Sequence, residues 1–139
     1  MRFSYHVALF IGALVTLLSG GCSTYTPPST SDESAATIKI VSQRFMRFVY
    51  IREIDGEKTS SVPSLGLARG PSEIKVSAGR HTFLIEEVSG STRWWTKLWL
   101  EVEPKATYLL NTENKGLTFK AWFLDSRSGA IVGGTLPLD

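Results

Sequence analysis

Turn residues punctuate this chain at intervals of about ten positions, and nothing between them carries a helical stripe. Asp55-Gly56, Ala78-Gly79, Ser89-Gly90, Pro104-Lys105, Asn114-Lys115-Gly116 and the stretch 126–129 separate runs rich in β-branched and aromatic residues. Within those runs apolar and polar side chains alternate. No window of about eleven residues after Cys22 shows apolar positions at helical spacing. Short alternating runs with closely spaced turns fold as antiparallel sandwiches or barrels. The expected fold is therefore all-β: a small antiparallel β-sandwich of about seven or eight short strands.

The pattern predicts strands over 38–41, 45–54, 73–76, 80–88, 94–103, 108–112, 118–125 and 130–132. Alternation assigns their faces. In 94–103, Leu98, Leu100 and Val102 share one face with Trp94. Lys97, Glu101 and Glu103 take the other face and carry Trp95 and Trp99 with them, so these two rings are expected on or near the solvent side. In 80–88, Phe83 and Ile85 share a face with His81. The 118–125 strand is apolar on both faces, which predicts a central or doubly covered position. Residues 59–71, with Pro63, Gly66, Gly70 and Pro71, read as a loop.

The N-terminal segment is of another kind. Arg2 and the terminal amine precede an apolar run of twelve residues, 7–18. A membrane span needs about 20 residues, whereas a signal h-region runs to about 7–15. The run ends in Ser19-Gly20-Gly21 and then Cys22, the only cysteine of the chain. Small residues directly before a lone cysteine match the cleavage site of a bacterial lipoprotein precursor. Residues 1–21 are expected to be the signal peptide and Cys22 the lipidated N-terminus. Residues 22–36, rich in Ser, Thr and Pro, read as a tether with an r.m.s. span of about 20 Å. An ordered N-terminal arm packing through Tyr25 is the alternative. The β-sandwich domain is expected over 37–139. The segment resembles the start of enterobacterial lipoproteins, and by that resemblance Ser23 after the cysteine implies the outer membrane, with the domain in the periplasm.

Charge excludes some roles. The chain has 15 Lys and Arg against 13 Asp and Glu, and loss of Arg2 with the signal brings it nearer neutrality. That balance gives no electrostatic case for nucleic acid. With Cys22 lipidated no thiol remains for a disulfide, a nucleophile or a metal site. His81 is the only histidine outside the signal, and a metal centre needs three or four ligands. No cofactor or metal is expected. A Ser-His-Asp site is open by residue count, yet no nucleophile elbow or ordered spacing supports it. His81 is expected to cap the turn at 77–80, and the protein is not expected to be an enzyme.

Two surface features remain. Trp95 and Trp99 leave one face about 13 Å apart with Lys97 between them. Flat rings so placed stack on sugars or anchor a protein partner; a second apolar layer covered by a loop is the structural alternative. Arg44, Arg47 and Arg52 lie on one strand and Glu86-Glu87 on another. Alternation splits Arg47 from Arg52, which predicts cross-strand pairing with the glutamates rather than a basic patch.

The segments Ile-Arg-Glu-Ile-Asp-Gly-Glu-Lys (51–58), Ser-Glu-Ile-Lys-Val-Ser-Ala-Gly-Arg-His (72–81) and the Tyr108 strand together resemble the PEGA-type module and related small lipoprotein domains of Gram-negative bacteria. The resemblance spans roughly residues 48–135. It implies a hairpin over Ile74-x-Val76-x-x-Gly79-x-His81, with the glycine making the turn and the histidine starting the return strand. The closing Ala121-Trp122-Phe123-Leu124-Asp125-x-x-x-Gly129 is also of this kind. Such modules are small β-sandwiches that bind or space other components. The expected role is an outer-membrane lipoprotein, held by its lipid anchor, that binds or assembles a protein component of the envelope. A glycan-binding module using Trp95 and Trp99 is the alternative.

Overall fold

A computed structural model describes residues 33–41, 47–59 and 72–138, together with the backbone of Thr24–Tyr25. The expected signal peptide, Cys22, Arg44 and the 60–71 part of the expected loop lie outside the described residues. The described chain is all-β and forms a two-sheet sandwich.

The strands are β1 (Thr24–Tyr25), β2 (Ala36–Ile40), β3 (Arg47–Ile54), β4 (Glu57–Lys58), β5 (Glu73–Val76), β6 (Gly79–Ser89), β7 (Thr92–Val102), β8 (Thr107–Asn114), β9 (Phe119–Asp125), β10 (Ile131–Val132) and β11 (Gly134–Leu136). One sheet has six strands in the order β1-β5-β2-β8-β9-β10; the other has five, β11-β7-β6-β3-β4. All eight expected strands are present. The alternation expected for β7 also holds: Leu98, Leu100 and Val102 are buried, while Trp95 and Glu101 are exposed. Inward-facing apolar side chains from both sheets, among them Ile38, Ile74, Phe83, Ile85, Leu100, Leu110 and Phe123, make one core. Phe83 and Phe123 meet across it edge to face, 5.1 Å between centroids.

Four departures from the sequence reading matter. First, β5 does not form a hairpin with β6. It pairs with β2 and β1 in the six-stranded sheet, and the chain changes sheets at 77–79. Gly79 takes a φ of 123°, a backbone state open mainly to glycine. Alternation could not reveal this, because a corner and a hairpin both keep Ile74, Val76, Phe83 and Ile85 facing inward.

Second, the sandwich is not wholly antiparallel. β2 and β8 pair in parallel at the centre of their sheet, and β1 pairs in parallel with β5. Third, the boundary at residue 37 moves toward the N-terminus. Ala35 and Ala36 are buried, and Thr24–Tyr25 adds a backbone strand to the sheet edge inside the expected tether. Backbone hydrogen bonding needs no apolar pattern, so a polar stretch can be recruited to an open edge. Fourth, β9 is not central. It lies between β8 and the two-residue β10, with Trp122 and Leu124 half-buried on its outer side.

The strands run between two ends of the sandwich. The upper end carries the β6–β7 and β8–β9 turns. The lower end carries Asp55-Gly56, the 77–79 corner and the β9–β10 turn. At Asp55-Gly56 both φ angles are positive, 54° and 82°, as a two-residue I′ hairpin loop requires.

Candidate functional site

The outer face of the five-stranded sheet gathers the residues that the sequence marks for binding, Trp95, Lys97 and Trp99 of β7, together with Arg93 of the same strand. The register sets each beside an outward residue of β6: Arg93 by Val88, Trp95 by Glu86, Lys97 by Leu84 and Trp99 by Thr82. β3 continues two of these rows with Tyr50 opposite Glu86 and Phe48 opposite Val88.

Glu86 is fully buried although it points away from the core. It sits between the Tyr50 and Trp95 positions and is gripped by two guanidiniums. Arg52 reaches Oε2 through Nε and Nη2, and Arg93 Nη1 donates to Oε1 at 2.8 Å. A register shift between Ile51 and Glu53 makes this possible. The bulge keeps Val49, Ile51 and Ile54 inward, yet leaves both Arg52 and Glu53 outside. Arg52 also lies over the Tyr50 ring, 4.3 Å from its centroid. Burial raises the pKa of the Tyr50 hydroxyl, only partly offset by the Arg52 charge. The expected cross-strand pairing of arginine with Glu86 is therefore present.

Trp95 and Trp99 differ in surroundings. Trp95 is 41% exposed. Trp99 is half-buried, with the Arg80 guanidinium stacked 4.5 Å from its ring centroid and β11 alongside. A Cβ on Gly134 would fall 2.7 Å from Trp99 Nε1, and one on Gly133 only 2.1 Å from the Trp99 carbonyl oxygen. These two glycines let the closing strand lie against the indole. At Trp99 the ring is covered by β11 and Arg80. The pair of open rings is in effect one open ring and one packed ring. Nothing in the sequence announced β11, which is short and begins at the second of two glycines.

On the same face lies a hollow of about 330 Å³. Its walls include Glu53, Thr82, Leu84, Lys97, Leu136 and Pro137; neither tryptophan lines it, and Trp95 is one outward position along β7 from Lys97. Opposite charges and apolar side chains thus line one depression, the arrangement in which a partner side chain is both desolvated and oriented.

A second cluster lies at the lower end. His81 Nδ1 stands 2.6 Å from Asp55 Oδ2, and His81 Nε2 stands 3.2 Å from Ser77 Oγ and 3.0 Å from the Ser77 carbonyl. Thr82 N–H donates to Asp55 Oδ1 at 2.7 Å. Partial burial works to raise the Asp55 pKa; the bonds from Thr82 and His81 outweigh it, and the net shift is downward. No spacing along the chain joins these three residues, because Asp55 comes from another turn. Their order matches that of acyl-transfer sites. However, Nε2 faces two groups of opposite demand. With Nδ1–H on Asp55, a neutral ring accepts from Ser77 Oγ, while a charged ring donates to the Ser77 carbonyl. The carbonyl contact is the turn cap expected of His81, and Asp55 extends it by fastening the corner to the β3–β4 hairpin. Among the described residues no group of three His, Cys, Asp or Glu side chains is placed to hold a metal ion.

No family model, no curated protein and no solved structure matches this chain.

Proposed function

We propose that the chain is a lipoprotein anchored through Cys22 to the outer membrane, facing the periplasm, and that it acts without catalysis as a binding or assembly module for a protein component of the envelope. The kinship with PEGA-type modules belongs to the same proposal. One observation carries the binding role: an exposed Trp95 on the same sheet face as a depression lined by Lys97, Glu53, Leu84 and Leu136, one outward position along β7 from Lys97. A face that joins an exposed tryptophan to a mixed apolar and charged hollow has the composition of a protein hot spot. The glycan alternative keeps Trp95 but has the Trp99 ring stacked under Arg80, so the two-ring platform for successive sugars is weakened.

The test is site-specific photocrosslinking in intact cells, with a benzophenone side chain in place of Trp95 and, as a control, of Ser128 at the lower end. One discrete protein adduct at position 95 and none at 128 is expected. Equal or absent adducts at both positions would remove this face from the argument. Acyl transfer at Ser77–His81–Asp55 is the one rival with an observation behind it. A serine-directed fluorophosphonate that labels the protein, but not its Ser77→Ala variant, would establish that chemistry. The carbonyl that shares Nε2 leads us to expect no labelling.

A further inference from the structure

The two ends of the sandwich differ in charge. At the upper end the outward charges are Arg47, Arg93, Lys115 and Lys120 against Glu113, which is bridged to Lys115 at 3.0 Å. Glu86 and Glu87 also belong to this end and are buried; Glu86 is the ion-pair partner of Arg93, so the surplus of positive charge here rests on Arg47 and Lys120. At the lower end acid predominates. Asp55, Glu57, Glu101, Glu103 and Asp125 outnumber Arg80, Lys105 and Arg127, with Glu33 close by through the Lys105–Ser34 backbone bond. The near-neutral net charge conceals a basic pole and an acidic pole.

The basic pole also holds the most exposed leucine among the described residues. Leu117, at the tip of the β8–β9 hairpin, is 102% exposed, and Val41, where β2 ends, is 52% exposed. A leucine held clear of the fold on a turn flanked by Lys115 has no structural use in the domain. It is what a peripheral contact with a lipid interface requires: an apolar tip for the acyl boundary and cations for the headgroups.

Chain direction bears on the anchor. β1 runs parallel to β5, with Thr24 level with Glu73 and Tyr25 with Ile74, and that row continues through Lys39 to Leu109 and Leu124. Cys22 is two residues before Thr24, a reach of about 7 Å at most. A lipid on Cys22 therefore holds the edge of the six-stranded sheet close to the bilayer, without itself deciding which end of the sandwich faces it.

We propose that the upper end, led by Leu117 and Lys115, rests on the anionic phospholipid surface to which Cys22 is tied, with the acidic end pointing away. This rests on the lipoprotein reading of Cys22 and adds an orientation to it. The outer face of the five-stranded sheet then stands upright on the membrane and stays open to a partner.

The test uses the full mature chain purified from membranes, in vesicles of phosphatidylethanolamine and phosphatidylglycerol. Lipid on Cys22 leaves the protein without a thiol, so Leu117→Cys and Ser128→Cys each give one site for an environment-sensitive nitrobenzoxadiazole label. Both positions are exposed and off the core; Ser128→Cys gives up only the turn bonds of its hydroxyl with Asp125 and the Ala130 N–H. The expected result is a blue-shifted emission at 117, quenched by spin-labelled lipids, with the 128 label in water. Lys115→Glu in the Leu117→Cys background should reduce that shift. Labels in water at both positions, or equal insertion of both, would overturn the orientation. Mass spectrometry of the same preparation reports the lipid on Cys22 separately. A chain that lacks it, and fails to float with vesicles, refutes the anchor rather than the contact surface.

Discussion

Glu86 and Glu87 are neighbours in sequence, both fully or nearly fully buried, and held in entirely different ways. Glu87 points into the sandwich, in register with Val49 and Trp94. It accepts from Thr112 Oγ1 and Asn114 Nδ2 of the opposite sheet, each at 3.0 Å. Glu86 points outward, in register with Tyr50 and Trp95, and is held by two guanidiniums. The inner carboxylate is satisfied by neutral donors and joins the sheets. The outer one is satisfied by cations and knits three strands of one sheet. A buried charge needs partners on either side, but only the outer face has water close enough to keep arginines solvated.

That contrast is open to attack by mutation. The largest effect is expected for Glu87→Ala. It removes two hydrogen bonds to a charged acceptor and opens a cavity in the core, and we expect about 3 kcal/mol of lost stability by denaturant titration. Glu86→Ala should cost less, about 1–2 kcal/mol, because the Arg93 side chain is already 60% exposed and can turn to water. Salt sharpens the difference. The Glu86 contribution should shrink at high ionic strength, whereas that of Glu87, with neutral partners, should not. Equal costs, or equal salt dependence, would show that the two sites are one kind of site.

Acid gives a smaller effect at the lower end. The folded-state pKa of Asp55 is depressed, so its contribution to stability is present above the ordinary carboxylate range and is lost as pH falls through the folded value. Melting curves of Asp55→Asn should show a flatter acid limb than wild type, with no change in slope above about pH 5. The smallest effect on folding is expected for Trp95→Ala. Its ring is the open one, and the change should lower stability by under about 0.5 kcal/mol while abolishing the crosslink from a neighbouring reporter at Lys97. Trp99→Ala, which strips the packing of Arg80 and β11, should destabilise by several times more.

The strands were legible because each alternates about a core that demands it. Leu98, Leu100 and Val102 could face only one way, and so the outward course of Trp95 and Lys97 was legible too. What alternation does not encode is which sheet a strand joins. Val76 and Phe83 face inward in a hairpin and at a corner alike, so the 77–79 switch was invisible. The bulge at Arg52 was hidden for a related reason. It preserves the inward set by slipping one residue, and only the paired strand reveals the slip. The Asp55–His81–Ser77 contacts depend on that same corner meeting the β3–β4 turn. The expected pairing of the arginines with Glu86 and Glu87 holds for Glu86 alone; that Glu87 turns inward to Thr112 and Asn114 was not legible, because the pairing reading treated both as surface charges.

The parallel pairing of β2 with β8 sets how this chain reaches its folded state. Thr37 and Thr107 are 70 positions apart, and the chain between them supplies the greater part of the other sheet. Loop closure of that length must precede any gain from the central ladder. Until Thr107 to Leu110 are available, β2 has only the short β5 beside it, and the two halves of the six-stranded sheet are unconnected. No N-terminal portion can therefore bank stability early. Folding should be a late, single commitment of the whole domain, slow for its size, with urea and guanidinium unfolding in one transition and with no stable product from a chain that stops short of β8.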